Sequence, residues 1–140
     1  MIQLRLLFFG ILFMFFLNKG KAENSPYIKT NDGIIVFTDS LATGVSQAVK
    51  LEVISDHIIR IIAAPGKEIL PAQSLITVYT KKPGLSWNVF SNKEKVTLRT
   101  KAITAEVNLK TGTVVFLDRS GNKILSEKPT TGRSLRPVVF

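Results

Sequence analysis

The sequence predicts an all-β chain built as an antiparallel sandwich, on three observations. From Ile34 onward apolar residues recur with period 2, and no 3.6-residue stripe persists. Turn signals punctuate the chain at short spacing: Asn31-Asp32-Gly33, Ser55-Asp56, Pro65-Gly66, Lys110-Thr111-Gly112 and Ser120-Gly121-Asn122. One stretch carries both signals together. Ile103, Ala105, Val107 and Leu109 fall on one face, with Thr104, Glu106, Asn108 and Lys110 on the other. Gly112 then suits the left-handed position of a bulged hairpin whose return strand covers residues 113–117.

The first 22 residues are of another kind. They hold three basic residues, no acid, and five of the nine phenylalanines. Arg5 begins a positively charged region and residues 6–17 form a 12-residue apolar run. Gly20 and Ala22 stand where a signal peptidase reads small side chains. The run falls short of the roughly 20 apolar residues of a membrane span. Residues 1–22 are read as a helical secretory signal peptide, cut between Ala22 and Glu23. An uncleaved anchor is the competing reading, because Lys19 and Lys21 lie close to the cut. Either way the remainder leaves the cytoplasm, with no membrane contact after cleavage. No Asn-x-Ser/Thr acceptor is present, in keeping with a bacterial, periplasmic or extracellular protein.

The mature part, residues 23–140, has 16 basic and 10 acidic residues. Residues 23–29 are expected to be a loose or extended arm. Residues 34–38 form a β-branched and aromatic strand. Val49, Leu51 and Val53 alternate with Lys50 and Glu52 in a half-buried strand. Residues 57–62 return, apolar on both faces except at Arg60, which predicts a central strand. Residues 75–80, 87–90 and 96–99 are further strands. After the 103–117 hairpin, Lys123-Ile124-Leu125 starts another, for eight or nine in all. Residues 127–137 are polar, and Val138-Val139-Phe140 begins an apolar run that stops with the chain. The expectation is an incomplete sandwich, a fragment.

Composition excludes much chemistry. Without Cys there is no disulfide framework, Cys-ligated zinc or thiol nucleophile. One His excludes a multi-His metal centre. A (β/α)8 barrel of roughly 250 residues cannot fit in 140. His57 follows a turn and is read as a turn or edge histidine, since Asp56 beside it points to the opposite strand face. Asp32, Asp39, Asp56 and Asp118 all adjoin turns, where Asp hydrogen-bonds its own backbone. No glycine pattern cradles phosphate. Lys93, Lys95, Arg99 and Lys101 share one face of an extended strand, and are read as a solvated or edge face rather than a nucleic-acid stripe. Tyr79, Trp87 and Phe90 could stack on sugars, with Trp87 assigned to the core. No catalytic, cofactor-binding or metal-ligating residue is assigned.

The order of segments resembles the N-terminal β-sandwich of glycoside hydrolase family 31, the α-glucosidase and α-xylosidase family. The residues that carry the likeness are Val49-Lys50-Leu51-Glu52-Val53, His57-Ile58-Ile59-Arg60-Ile61 and Trp87-Asn88-Val89. Most telling is Thr100-Lys101-Ala102-Ile103-Thr104-Ala105-Glu106-Val107, which leads through Lys110-Thr111-Gly112-Thr113-Val114-Val115-Phe116-Leu117-Asp118 to Gly121-Asn122-Lys123-Ile124-Leu125 and Glu127. The resemblance spans residues 27–140 and is a pattern of alternation and turn glycines, with no catalytic fingerprint. It implies a galactose-mutarotase-type super-sandwich that packs beside a (β/α)8 barrel and shapes the rim of its pocket. The barrel of that family carries an Asp nucleophile and an Asp acid/base for retaining hydrolysis. Neither motif occurs here, so no catalytic residue carries over and a carbohydrate substrate would be met only through the absent barrel. Between sugars the likeness leans towards α-xylose. A secreted carbohydrate-binding or adhesive sandwich module is the alternative.

Overall fold

The computed structural model describes residues 25–39, 46–69, 84–128, 133 and 135. The signal peptide with its Ala22–Glu23 cut, the strand expected over residues 75–80, and residues 138–140 lie outside them. The described residues form nine strands and no helix. They make two antiparallel sheets, each a simple meander. Sheet A runs β1 (Tyr27–Thr30), β2 (Gly33–Phe37), β3 (Ala48–Ser55), β4 (Ile58–Ala64). Sheet B runs β5 (Asn88–Ser91), β6 (Lys95–Arg99), β7 (Thr104–Asn108), β8 (Val114–Leu117), β9 (Lys123–Ser126). The chain changes sheet between β4 and β5.

Period-2 alternation builds the core directly. Ile34, Val36, Val49, Leu51, Val53 and Ile59 face inward from sheet A; Val96, Leu98, Ala105, Val107 and Val114 face them from sheet B. Trp87 and Phe116 pack partly buried against this cluster, which places Trp87 with the core as expected. Between β7 and β8, Leu109 continues the inward face, and Gly112 takes a φ of +69°, the left-handed position that the turn requires.

One expectation needs correction. Residues 27–29 are no loose arm. They belong to β1, which pairs with β2 through Tyr27↔Val36 and Thr30↔Gly33 across the two-residue Asn31-Asp32 turn. Asp32 fixes that turn by accepting from Thr30 Oγ1 at 2.6 Å and Lys50 Nζ at 2.8 Å. Gly33 is needed there because an added Cβ would run into the Leu51 carbonyl of the neighbouring strand. The strand read as central, β4, is the last of sheet A among the described residues. Its outward face carries exposed Ile58 and Arg60, the latter 3.6 Å from Glu52 on β3.

The sheets are also joined at both ends. Thr100 Oγ1 donates to the Asp56 carbonyl at 2.6 Å, and at the other end the Asp39 N–H donates to the Leu109 carbonyl at 2.8 Å. A Cβ at Gly112 would meet Thr38 Cγ2 at 3.3 Å and the Ser46 carbonyl at 3.4 Å. Gly112→Val therefore combines a strained φ with crowding between the sheets, and should destabilise the fold by about 1–3 kcal/mol. Thermal melting is the check; an unchanged Tm contradicts the role given to this turn.

Candidate functional site

Three turns converge at one end of the sandwich. The β3–β4 turn brings Asp56 and His57, the β6–β7 turn Lys101 and Ala102, and the β8–β9 turn Asp118 and Arg119. Together they line a cleft of about 450 Å³. Sequence reasoning placed Asp56 and His57 beside one turn and Asp118 beside another. Only the stacking of the sheets makes them neighbours.

The carboxylates in this cleft have different surroundings. Asp118 is occupied by its own turn. Its Oδ1 accepts from the Ser120 and Asn122 N–H groups at 2.8 Å each, and Oδ2 accepts from Asn122 Nδ2 at 2.9 Å. The Asn122 bonds hold its pKa below the ordinary aspartate value, so it has no proton to give near neutrality. Asp56 Oδ1 is buried and accepts no hydrogen bond from the described residues. His57 is exposed, its N–H bonded to Ser55 Oγ at 3.2 Å. Among the described residues no nucleophile is hydrogen-bonded to this imidazole and no base–nucleophile pair forms.

The other predicted acids lie elsewhere. Asp32 is tied to Lys50 and Thr30 on sheet A. Asp39 sits at the opposite end of the sandwich, beside Ser91, Asn92, Lys93 and Leu109. No group of three or more His, Asp or Glu side chains suited to a metal ion occurs among the described residues.

The basic residues do not act as one stripe. Lys95 donates to both oxygens of Glu106, at 2.7 and 2.8 Å. Arg99 stands over the Phe90 ring at 5.9 Å from its centroid, and Lys101 turns into the cleft. Of the three aromatics considered for stacking, Tyr79 lies outside the described residues, Trp87 is half-buried, and Phe90 is 57% exposed.

The sequence search missed an ion pair after β9. Glu127 Oε2 accepts from the Val114 N–H at 2.9 Å, and Arg133 grips both carboxylate oxygens at 2.7 and 2.9 Å. Burial raises the Glu127 pKa, but Arg133 and the Val114 N–H outweigh it, leaving a value below the ordinary 4.5. The two residues sit in a polar segment with no pattern to pair them, so no sequence signal could have found the contact.

No established family profile matches the chain. Among solved structures it is similar to an α-xylosidase of glycoside hydrolase family 31 from Xanthomonas citri, with 29% identity and a TM-score of 0.63. The alignment covers 71% of this chain and 10% of that enzyme. The two-sheet fold thus resembles a domain of that enzyme, and the chain spans about a tenth of its length.

Acid titration tests the polar contacts. Glu127 and Asp32 both have folded pKa values below their ordinary 4.5 and 3.8. For Asp32, burial pulls upward but the Lys50 and Thr30 bonds prevail. Such groups stabilise the fold above their unfolded pKa, and that stability is lost as pH falls through the folded value. The urea midpoint should drop between about pH 7 and about pH 3, and Glu127→Gln should shrink that drop. Equal losses in both proteins would contradict the Glu127–Arg133 assignment.

Proposed function

We propose that this chain is the N-terminal, non-catalytic β-sandwich of an exported retaining α-glycosidase, with α-xylosides favoured over α-glucosides. One observation carries the reading: 71% of the chain aligns at 29% identity with a tenth of an α-xylosidase. In this reading the sandwich braces a catalytic barrel elsewhere in the polypeptide and shapes the rim of its pocket. Bacterial export, with loss of residues 1–22, belongs to the same proposal.

The chemistry of the described residues supports a bracing role. Retaining hydrolysis needs two carboxyl groups about 5–5.5 Å apart, one of them protonated at the start. Asp118 is held ionised by its turn and Asp32 by Lys50 and Thr30. Asp39 lies at the far end from Asp56 and Asp118. Held ionised, Asp118 and Asp32 cannot act as the proton donor, and in this reading hydrolysis belongs to residues beyond this sandwich.

The purified chain should release no aglycone from aryl α-xylosides or aryl α-glucosides. The native polypeptide that contains it, captured with an antibody to the sandwich, should cleave the xyloside. A native polypeptide without glycosidase activity overturns the proposal. So does turnover by the purified chain that vanishes on Asp56→Asn.

Export has its own test. The intact mass of the native protein should correspond to a chain beginning at Glu23, and a mass that retains residues 1–22 overturns the cleavage.

A further inference from the structure

We propose that the open edge of β9 receives one further β-strand from elsewhere in the same polypeptide, apolar at its centre and carrying Asp or Glu at its ends. The proposal deepens the bracing role above, and rests on that reading only in placing the strand within a longer polypeptide.

Four strands end the two sheets among the described residues: β1, β4, β5 and β9. Three of them have one face covered. Tyr27 of β1 and Val89 of β5 pack against the core, and Ile59 of β4 is buried in it. Their exposed apolar residues, Ile28, Phe90 and Ile58, are the sequence neighbours of those side chains and so point to the other face. β9 differs. All four of its residues are exposed, and adjacent Ile124 and Leu125 are 60% and 62% exposed on opposite faces. Leu125 stands across from Phe116 in the register, so the two share a face. Phe116 packs against the core, yet the row it belongs to ends uncovered at Leu125.

The edge itself says what covers it. β9 pairs with β8 on one side, which leaves a row of backbone N–H and C=O groups on the other. An added strand matches that row, and its alternating side chains lie beside both Ile124 and Leu125. Edge strands are commonly guarded by a charge in mid-strand. β4 has Arg60 in that position, whereas the only charge within β9 is Lys123, its first residue.

Charge fixes the ends of the added strand. Around β9, four basic residues, Arg119, Lys123, Lys128 and Arg133, stand against two acidic ones, Asp118 and Glu127. Both acids are occupied, Asp118 by its own turn and Glu127 by Arg133. Lys123 and Lys128 flank the apolar stretch, are exposed, and form no ion pair among the described residues. Carboxylates at the two ends of the added strand meet them. A second copy of β9 would set the same cations side by side, and like charges across a strand pair are destabilising.

Size fixes the source. A stable separate partner needs about 800 Å² of contact on each side, more than a four-residue edge supplies. A strand tethered in the same polypeptide meets the edge at an effective concentration in the millimolar range, where a small contact suffices.

The test places the photoreactive residue p-benzoylphenylalanine at position 125 of the native polypeptide (Leu125→p-benzoylphenylalanine). Irradiation should join it to a peptide of the same polypeptide outside residues 23–140, and mass spectrometry should read apolar residues bounded by Asp or Glu. The β9 amides that do not bond to β8 should exchange with deuterium about tenfold more slowly in the native polypeptide than in the purified 140-residue chain. Lys123→Glu combined with Lys128→Glu should remove that protection, and Lys123→Arg combined with Lys128→Arg should keep it. Both positions are exposed, so the purified chain carrying either pair should melt with its parent. Equal exchange in the two forms, full protection in the Glu variant, or a cross-link to a second copy or to a separate protein overturns the proposal. Glycosidase activity is read on the same native material. Activity without the cross-link overturns only this proposal, and the cross-link without activity overturns only the earlier reading.

Discussion

The β7–β8 turn is the point on which the described fold depends. Asn108 Oδ1 accepts from the N–H groups of Lys110 and Thr111 at 2.9 and 3.0 Å, and Gly112 closes back on the Asn108 carbonyl at 2.8 Å. The closed turn then holds other segments. The Leu109 N–H donates to the Glu94 carbonyl of the β5–β6 turn, and its own carbonyl accepts from Asp39, which follows β2. Arg133, held by Glu127, reaches the Gly112 carbonyl at 3.4 Å. A side chain at Gly112 would press on Thr38 and Ser46, which lie between β2 and β3 of sheet A. Backbone from both sheets therefore meets within one turn, and the absence of a Cβ sets how closely the layers approach there.

The core follows from that spacing. Ile34, Leu51, Leu98 and Val107 have no exposed surface, and they come from four strands in two sheets. Each contributes through burial, at about 1.5–3 kcal/mol for an aliphatic side chain of this size. Neither sheet can bury its inward row alone. The polar groups are treated more locally: Asp32 serves one hairpin, Asp118 another, and Glu127 the segment after β9. Carboxylates bonded in this way fix the backbone of their own segments. The surface of the described residues has a cleft of turns at one end, and the exposed ring of Phe90 lies on β5.

Most strands were legible because alternation and turn chemistry are short-range. Ala105, Val107 and Leu109 are buried as their spacing indicates, and Gly112 and Gly121 both have positive φ. The failure is equally specific. Tyr27-Ile28-Lys29 has no alternation of its own to mark a strand; β1 exists because β2 offers it a partner across a two-residue turn. The site shows the same division. His57, Asp56 and Asp118 were each visible beside a turn, but their shared cleft was not.

By itself the sequence determined the all-β class, the main hairpin and the turn positions, because side-chain alternation and glycine backbone freedom act over a few residues. The tertiary structure decided how the strands divide between two sheets, that Phe90 is exposed, and that Glu127 is held by Arg133. Those outcomes depend on contacts between residues distant in the chain or on which layer covers a given face. Two aromatic residues three positions apart can look alike in sequence and still differ in burial, because burial belongs to the packed sheets.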